Sequence, residues 1–272
     1  MADLIDTHCH IHQAQYQVDD NDAVRAKWLR EGKPDPDDMI VSAQAVGVTR
    51  LICVGCTVED SVAAVAFAQT RPPCLASIGI HPHEAQKYVD NPAVLDRFAA
   101  LATQPKVVAI GECGLDYFYN HSPKEAQARM LRWQIELALQ HNLPMIFHVR
   151  EAFEDFWPIF DDYQGIRGVI HSFSATEKEL AQILQRDLYV GLNGIMTFTK
   201  NPAQLAAAKA VPLDHLLLET DAPFLTPVPE RGKLCQPKHV HLIAQFLSTL
   251  RAESLDILAE HTTRNTGALF SI

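Results

Sequence analysis

LIDTHCH, residues 4–10, carries a short apolar run into a His-x-His pair. Side chains two apart on a strand point the same way, so His8 and His10 can take one ion together. The same pattern recurs along the chain. VVAIGE (107–112) delivers Glu112, PMIFH (144–148) delivers His148, RGVIH (167–171) delivers His171, and LLLETD (216–221) delivers Asp221. These later four come from distant segments. They meet only in a fold that gathers many strand ends in one place.

The strand candidates number eight. Besides 4–10 they are RLICVG (50–55), CLASIGI (74–80), VVAIGE, PMIFHV (144–149), RGVIHSF (167–173), LYVGLNG (188–194) and HLLLETD (215–221). Most are continuously apolar rather than alternating, as expected of parallel strands buried on both faces. Helical stretches lie between them. In SPKEAQARMLRWQIELALQHN, Ser122 is the expected N-cap, Pro123 the first helical residue and Glu125 the capping-box partner. Ala126, Met130, Trp133, Leu137 and Leu139 form its apolar stripe. Residues 175–186, 237–250 and the final AESLDILAEHTTRNTGALF read as helices as well. Eight strands alternating with helices predict an α/β fold, a (β/α)8 TIM barrel over residues 1–272. An open doubly wound sheet has a similar count but does not naturally gather ligands from strands 1, 4, 5, 6 and 8.

One stretch breaks the rhythm. After strand 1, a helical insertion is expected over about residues 15–38, with Asp22 as cap, AVRAKWLRE as helix, and Gly32 and Pro34 as stops. It reads either as a lid or cleft wall carrying Arg25, Lys27 and Trp28, or as a solvated excursion.

The formal net charge of -10 disfavours extended, nonspecific duplex binding, because an acidic surface repels phosphate backbones. A small phosphate held by metal ions is still compatible, since bound cations dominate their local field. The six cysteines make no dense disulfide framework, and structural packing is their expected role. MADLIDTHCHIHQ lacks the basic start and apolar stretch of a leader, and no run approaches membrane-span length. A cytoplasmic protein with no membrane association and no obligate protein partner is expected.

Each ligand-type residue alone is better read as a satisfied core polar group. Six of them at strand ends are different, because barrel active sites lie at that face. Four imidazoles and two carboxylates suit Zn, Mn, Fe, Ni or similar divalent ions better than a pure Mg or Ca site. Six donors exceed one tetrahedral ion, so two ions sharing a carboxylate is the simplest division.

DTHCH, GIHPH, GECGLDY, FHVRE, HSFS, ETDAPFLTPVPERGK and TTRNTGALF together resemble the TatD-like metal-dependent deoxyribonucleases, hydrolases of the amidohydrolase-type barrel class. The likeness spans essentially the whole chain. It implies two divalent ions (Zn, Mn, Ni, Fe or Mg), with His8, His10 and Asp221 on one, His148 and His171 on the other, and Glu112 between them. The chain departs from the family where His12 replaces a common Asp, and where Leu234 and Cys235 interrupt an RGKRNEP-like segment. The expected chemistry is phosphodiester hydrolysis by a 3′-5′ exonuclease on single-stranded DNA or RNA. Asp221 takes a proton from the attacking water and Glu112 fixes the metal spacing. His81, His83 and Arg150 are the expected substrate contacts. The alternative is hydrolysis of a carbonyl substrate such as a lactone, amide or ester, because the same activated water attacks carbonyls.

Overall fold

The computed structural model describes residues 3–15, 27–29, 34–119 and 121–272. Its strands are β1 (Leu4–Cys9), β2 (Val48–Val54), β3 (Cys74–Ile78), β4 (Val107–Asp116), β5 (Met145–Arg150), β6 (Gly168–Ile170), β7 (Tyr189–Leu192) and β8 (Leu216–Leu218). They follow chain order in one eight-stranded sheet, and the pairs β1–β2, β3–β4, β4–β5, β5–β6 and β7–β8 are parallel. With helices in the connections, this is the α/β, (β/α)8 TIM-barrel class expected from the run of apolar segments.

By contacts the chain divides into two compact units, Met1–Cys53 with Ser172–Ile272, and Val54–His171. In the first unit, the helix Leu255–Phe270 packs on β1 and β8. Its buried Asn265 donates from Nδ2 to the carbonyls of Leu213 (2.7 Å) and Leu216 (3.0 Å). Backbone carbonyls left over at the start of β8 are thereby satisfied, as burial requires.

In the second unit, the helix Val58–Gln69 packs on β3 and the helix Lys124–His141 on β4. The latter buries two glutamines beside its apolar residues. Gln134 accepts from the Ile80 amide (2.8 Å) and donates to the Ile80 carbonyl (3.1 Å). Gln127 accepts from the Asp116 amide (2.8 Å) and donates to the carbonyls of Asp116 (3.1 Å) and Ser122 (2.8 Å). Two amides on one helix face thus bind the backbone where β3 and β4 leave off.

Several sequence expectations need correction. The helix begins at Lys124 with Pro123 as its N-cap residue and without a side-chain cap. Ser122 instead donates to the His83 carbonyl at 2.6 Å and accepts from the Gln86 amide at 3.1 Å. Leu139, placed on the apolar stripe by periodicity, is exposed. Glu112 does not end its strand, because β4 runs on to Asp116. β8 stops at Leu218, three residues before Asp221, and β3 stops at Ile78, leaving His81 as the cap of a 3-10 turn that contains His83. Of the expected insertion, Asp22, Arg25 and Gly32 lie outside the described residues. Lys27–Leu29 are helical, and Trp28 is fully buried rather than lining a cleft.

The continuation of β4 depends on glycine. Gly114 has φ +150°, and a Cβ there would meet the His148 carbonyl oxygen of β5 at 1.9 Å. Gly114→Ala is therefore expected to cost roughly 3 kcal/mol or more, from backbone strain and overpacking together. A urea midpoint within error of the parent's would contradict this account of the β4–β5 approach.

Candidate metal centre

In the first unit, β1 is fastened to the segment after β8 by its own polar groups. Thr7 donates to the Leu218 carbonyl (3.0 Å), Asp221 N–H to the His8 carbonyl (2.8 Å), and His10 N–H to the Ala222 carbonyl (2.8 Å). The buried Asp6 carboxyl accepts from the Thr220 amide at 2.9 Å and the Thr220 hydroxyl at 2.6 Å. Burial pushes the Asp6 carboxyl up to about 8, against the lowering effect of those hydrogen bonds. Asp221 sits in the left-handed region at φ +61°, a conformation Asp tolerates better than most residues.

These ties bring three donors together. His8 Nε2 lies 3.3 Å from His10 Nε2. Asp221 Oδ1 is 3.8 Å from His8 Nε2 and 3.5 Å from His10 Nε2. Donors bound to one ion at about 2.0–2.1 Å lie roughly 2.9–3.4 Å apart across octahedral to tetrahedral arrangements. The two nitrogens match that spacing, and the carboxylate is within a small adjustment of it. The set therefore fits a divalent ion. Trp28 braces the same segment, its Nε1–H donating to the His10 carbonyl at 3.2 Å. Lys27 Nζ lies 4.8 Å from the centroid of the Phe224 ring.

In the second unit, three imidazoles converge on Glu112 Oε1: His148 Nδ1 at 2.7 Å, His171 Nε2 at 3.2 Å and His81 Nε2 at 3.4 Å. Burial pushes the Glu112 carboxyl up, but His171, His81 and the hydrogen bond from His148 outweigh it and hold it well below the usual range. Burial also drives His81 down to about 4 despite Glu112. His148 is the converse case. Burial lowers it, and its hydrogen bonds to Asp116 and Glu112 win, so it rises above the ordinary histidine value. An oxygen facing three imidazole nitrogens at these distances likewise suits a divalent ion.

The structure thus places His8, His10 and Asp221 in one group and Glu112, His148 and His171 in another. His81 joins the second group against Glu112. His83 reaches Asp116 Oδ2 at 2.9 Å. Arg150, the last residue of β5, lies over the rings of Phe118 (4.1 Å) and Tyr119 (4.7 Å).

Asp116 escaped the sequence reading. It is fully buried, and its Oδ2 takes His148 Nε2 at 3.0 Å as well as His83. Its Oδ1 accepts the amides of Phe118 (2.9 Å) and Tyr119 (3.0 Å). Burial raises this carboxyl, but the histidine hydrogen bonds and the Tyr119 amide hold it well below its ordinary value. A carboxylate on the far nitrogen of a ligating histidine fixes its ring and tautomer. The signal was present, since CGLD is another apolar run ending in an acid. Cys56, expected only to pack, reaches the same group. Its Sγ–H points at Glu112 Oε2, 3.7 Å away.

The remaining cysteines pack. Cys9 donates weakly to the Ile52 carbonyl and Cys113 to the Ile146 carbonyl, and none of the six is in a disulfide. Leu234 and Cys235 are buried, with Cys235 behind the Thr220 carbonyl. Arg231 donates to the Thr226 carbonyl, and Lys233 pairs with Glu230.

A model of the family described as TatD related DNase matches residues 5–271. The chain is 33% identical over 271 residues to YabD, an uncharacterized metal-dependent hydrolase of Bacillus subtilis, with 99% of each chain covered. It is 32% identical to the 3′-5′ ssDNA/RNA exonuclease TatD of Salmonella typhimurium, covering 88% of this chain and 94% of the relative. Among solved structures, YjjV, a TatD homologue of Escherichia coli, superposes with a TM-score of 0.85 at 27% identity. That match covers 99% of this chain and 98% of the other. No described helix is long and apolar enough to cross a membrane.

Proposed function

The chain belongs to the TatD family of metal-dependent hydrolases, and from that premise we propose that it is a 3′-5′ exonuclease on single-stranded DNA or RNA using two divalent ions. The observation that carries the hydrolytic reading is the pair of imidazole–carboxylate groups with metal-compatible spacing. His8, His10 and Asp221 hold one ion, and His148 and His171 hold the other. The bridging role of Glu112 between the ions rests on the family resemblance. The nucleic-acid part is supported by the relative named an exonuclease. A cytoplasmic location and action without an obligate protein partner complete the proposal.

Ions held in these groups would supply a water of lowered pKa and would neutralise charge on the scissile phosphate. The protein's own groups then divide the work. Asp221, whose carboxylate is the more accessible of the two acidic ligands, accepts the proton of the attacking water, a contribution of about 10²–10⁴-fold. Glu112 stays ionised and sets the position of His148, His171 and His81 around it. Arg150 offers its guanidinium to a phosphate oxygen, the planar fork being suited to that partner. His81 and His83 stand ready as polar contacts to the phosphate or the leaving oxygen.

The test uses manganese-loaded protein with single-stranded DNA labelled at either end, alongside ester and lactone substrates. A 5′-labelled strand should shorten progressively, while a 3′-labelled strand should release its labelled mononucleotide at once. A preparation that hydrolyses a lactone but leaves every oligonucleotide intact would refute the nuclease reading in favour of carbonyl hydrolysis.

A further inference from the structure

We infer that Phe118 and Tyr119, which meet edge to face at 86° with Arg150 beside both, form a stacking platform for the terminal nucleobase of a single-stranded substrate, one ring lying under the base and the other at its edge. This inference rests on the nuclease reading above and names a contact that reading does not supply. Phe118 is 52% exposed and Tyr119 50% exposed. Single exposed apolar residues are ordinary, but here two adjacent aromatic rings stay half exposed beside ligand residues although they contact each other and Arg150.

The platform is rigidly placed. Both ring-bearing residues are tied through their amides to Asp116 Oδ1 at 2.9 and 3.0 Å. The other oxygen of that carboxylate holds His148 Nε2 at 3.0 Å and His83 Nε2 at 2.9 Å. One buried carboxylate therefore fixes the aromatic pair relative to a proposed metal ligand. The Tyr117 amide donates to the Arg150 carbonyl at 3.0 Å and so joins the same turn to the end of β5. The Tyr119 ring continues as a parallel stack onto His121, with 5.8 Å between centroids and 14° between planes.

The cation supports the same occupant. The Arg150 guanidinium carbon lies 4.1 Å from the Phe118 centroid and 4.7 Å from the Tyr119 centroid, within cation–π distance of both rings. No carboxylate pairs with it among the described residues. A guanidinium without an acidic partner, in a chain of net charge -10, is suited to an incoming phosphate. Aromatic faces beside a phosphate-binding cation match a nucleotide, whose base has a π-face and whose linkage is anionic. Because every base has such a face, the contact is neutral to sequence. Each base stacked on an aromatic ring typically strengthens binding by about 5- to 150-fold.

The test compares two single-stranded DNAs that differ only at the 3′-terminal residue, one carrying its base and one a tetrahydrofuran abasic unit. Steady-state kinetics are measured for the manganese-loaded wild type and for the Phe118→Leu/Tyr119→Leu variant, which keeps apolar bulk and removes the π-faces. Metal content per chain, measured in both proteins, checks that the fold and ligand groups are intact. The wild type should show a KM roughly 10-fold lower for the base-bearing end, and in the variant that ratio should fall toward one. In a Tyr119→Trp protein, the base-bearing strand should quench indole fluorescence and the abasic strand should not. A ratio unchanged by the double substitution, or no ratio in the wild type, overturns the platform while leaving the nuclease reading standing. Failure of the wild type to cleave either strand overturns both.

Discussion

Asp221→Ala is expected to lower turnover of single-stranded DNA by about 10²–10⁴-fold or more, while the protein keeps at least one bound ion. The carboxylate faces both His8 and His10 through one oxygen, so its loss removes a ligand and the proton acceptor together. His148, His171 and Glu112 are untouched, which is why metal binding should fall rather than vanish. Alanine also tolerates φ +61° less well than aspartate, at a cost of about 1–2 kcal/mol. Asp221→Asn separates the two effects, because asparagine suits that backbone but cannot take the proton. Rates for both variants, set beside elemental analysis of the purified proteins, decide the matter. Normal turnover in Asp221→Asn would remove Asp221 from the proton-transfer role.

Glu112→Gln is the second large effect, expected at about 10³-fold or more, from loss of the charge that holds three imidazoles and, on the family resemblance, both ions. The side chain is buried and its oxygen has His148, His171 and His81 around it. Glutamine fills the same space but presents a neutral amide, so the imidazoles lose their ionic partner without a cavity being made. Stability reports this separately from activity. An ion present at about 100 times its Kd stabilises the folded protein by about 2.7 kcal/mol, or roughly 5 °C in melting temperature for a chain of this size. The wild type should lose that increment on chelation, whereas Glu112→Gln should lose much less. Equal chelator-induced shifts in the two proteins would show that Glu112 is not needed to hold metal.

The strand pattern was legible because buried parallel strands leave continuous apolar runs, and all eight runs correspond to strands. The ends were not. GECGLD looks like a strand halted by glycines, yet Gly111 and Gly114 are there because β4 approaches β5 too closely for a Cβ. The same glycines hide Asp116, because an acid two residues beyond the second glycine does not read as the end of that strand. The residues that group around His10 and around Glu112 were named from strand-end position and residue type. The roles of Gln127 and Gln134 were not legible, since a buried glutamine that fastens a strand end has the same helical spacing as a solvated one. Ser122 misled for a related reason. Its place before Pro123 fits a cap, but the His83 carbonyl competes for its hydroxyl and wins. Trp28 lay in a segment of mostly polar sequence, and nothing local predicts that its indole donates to the His10 carbonyl.

In the proposed mechanism, metal ions held by the two donor groups perform the hydrolysis. Its most direct test is to strip the protein with a chelator and titrate Mn²⁺ back, following cleavage of a single-stranded oligonucleotide and bound metal per chain in the same samples. No cleavage is expected in the stripped protein, with activity rising to its maximum as the second equivalent binds. Full cleavage by protein shown to contain no metal, or a maximum reached with one equivalent and unchanged by more, would contradict it.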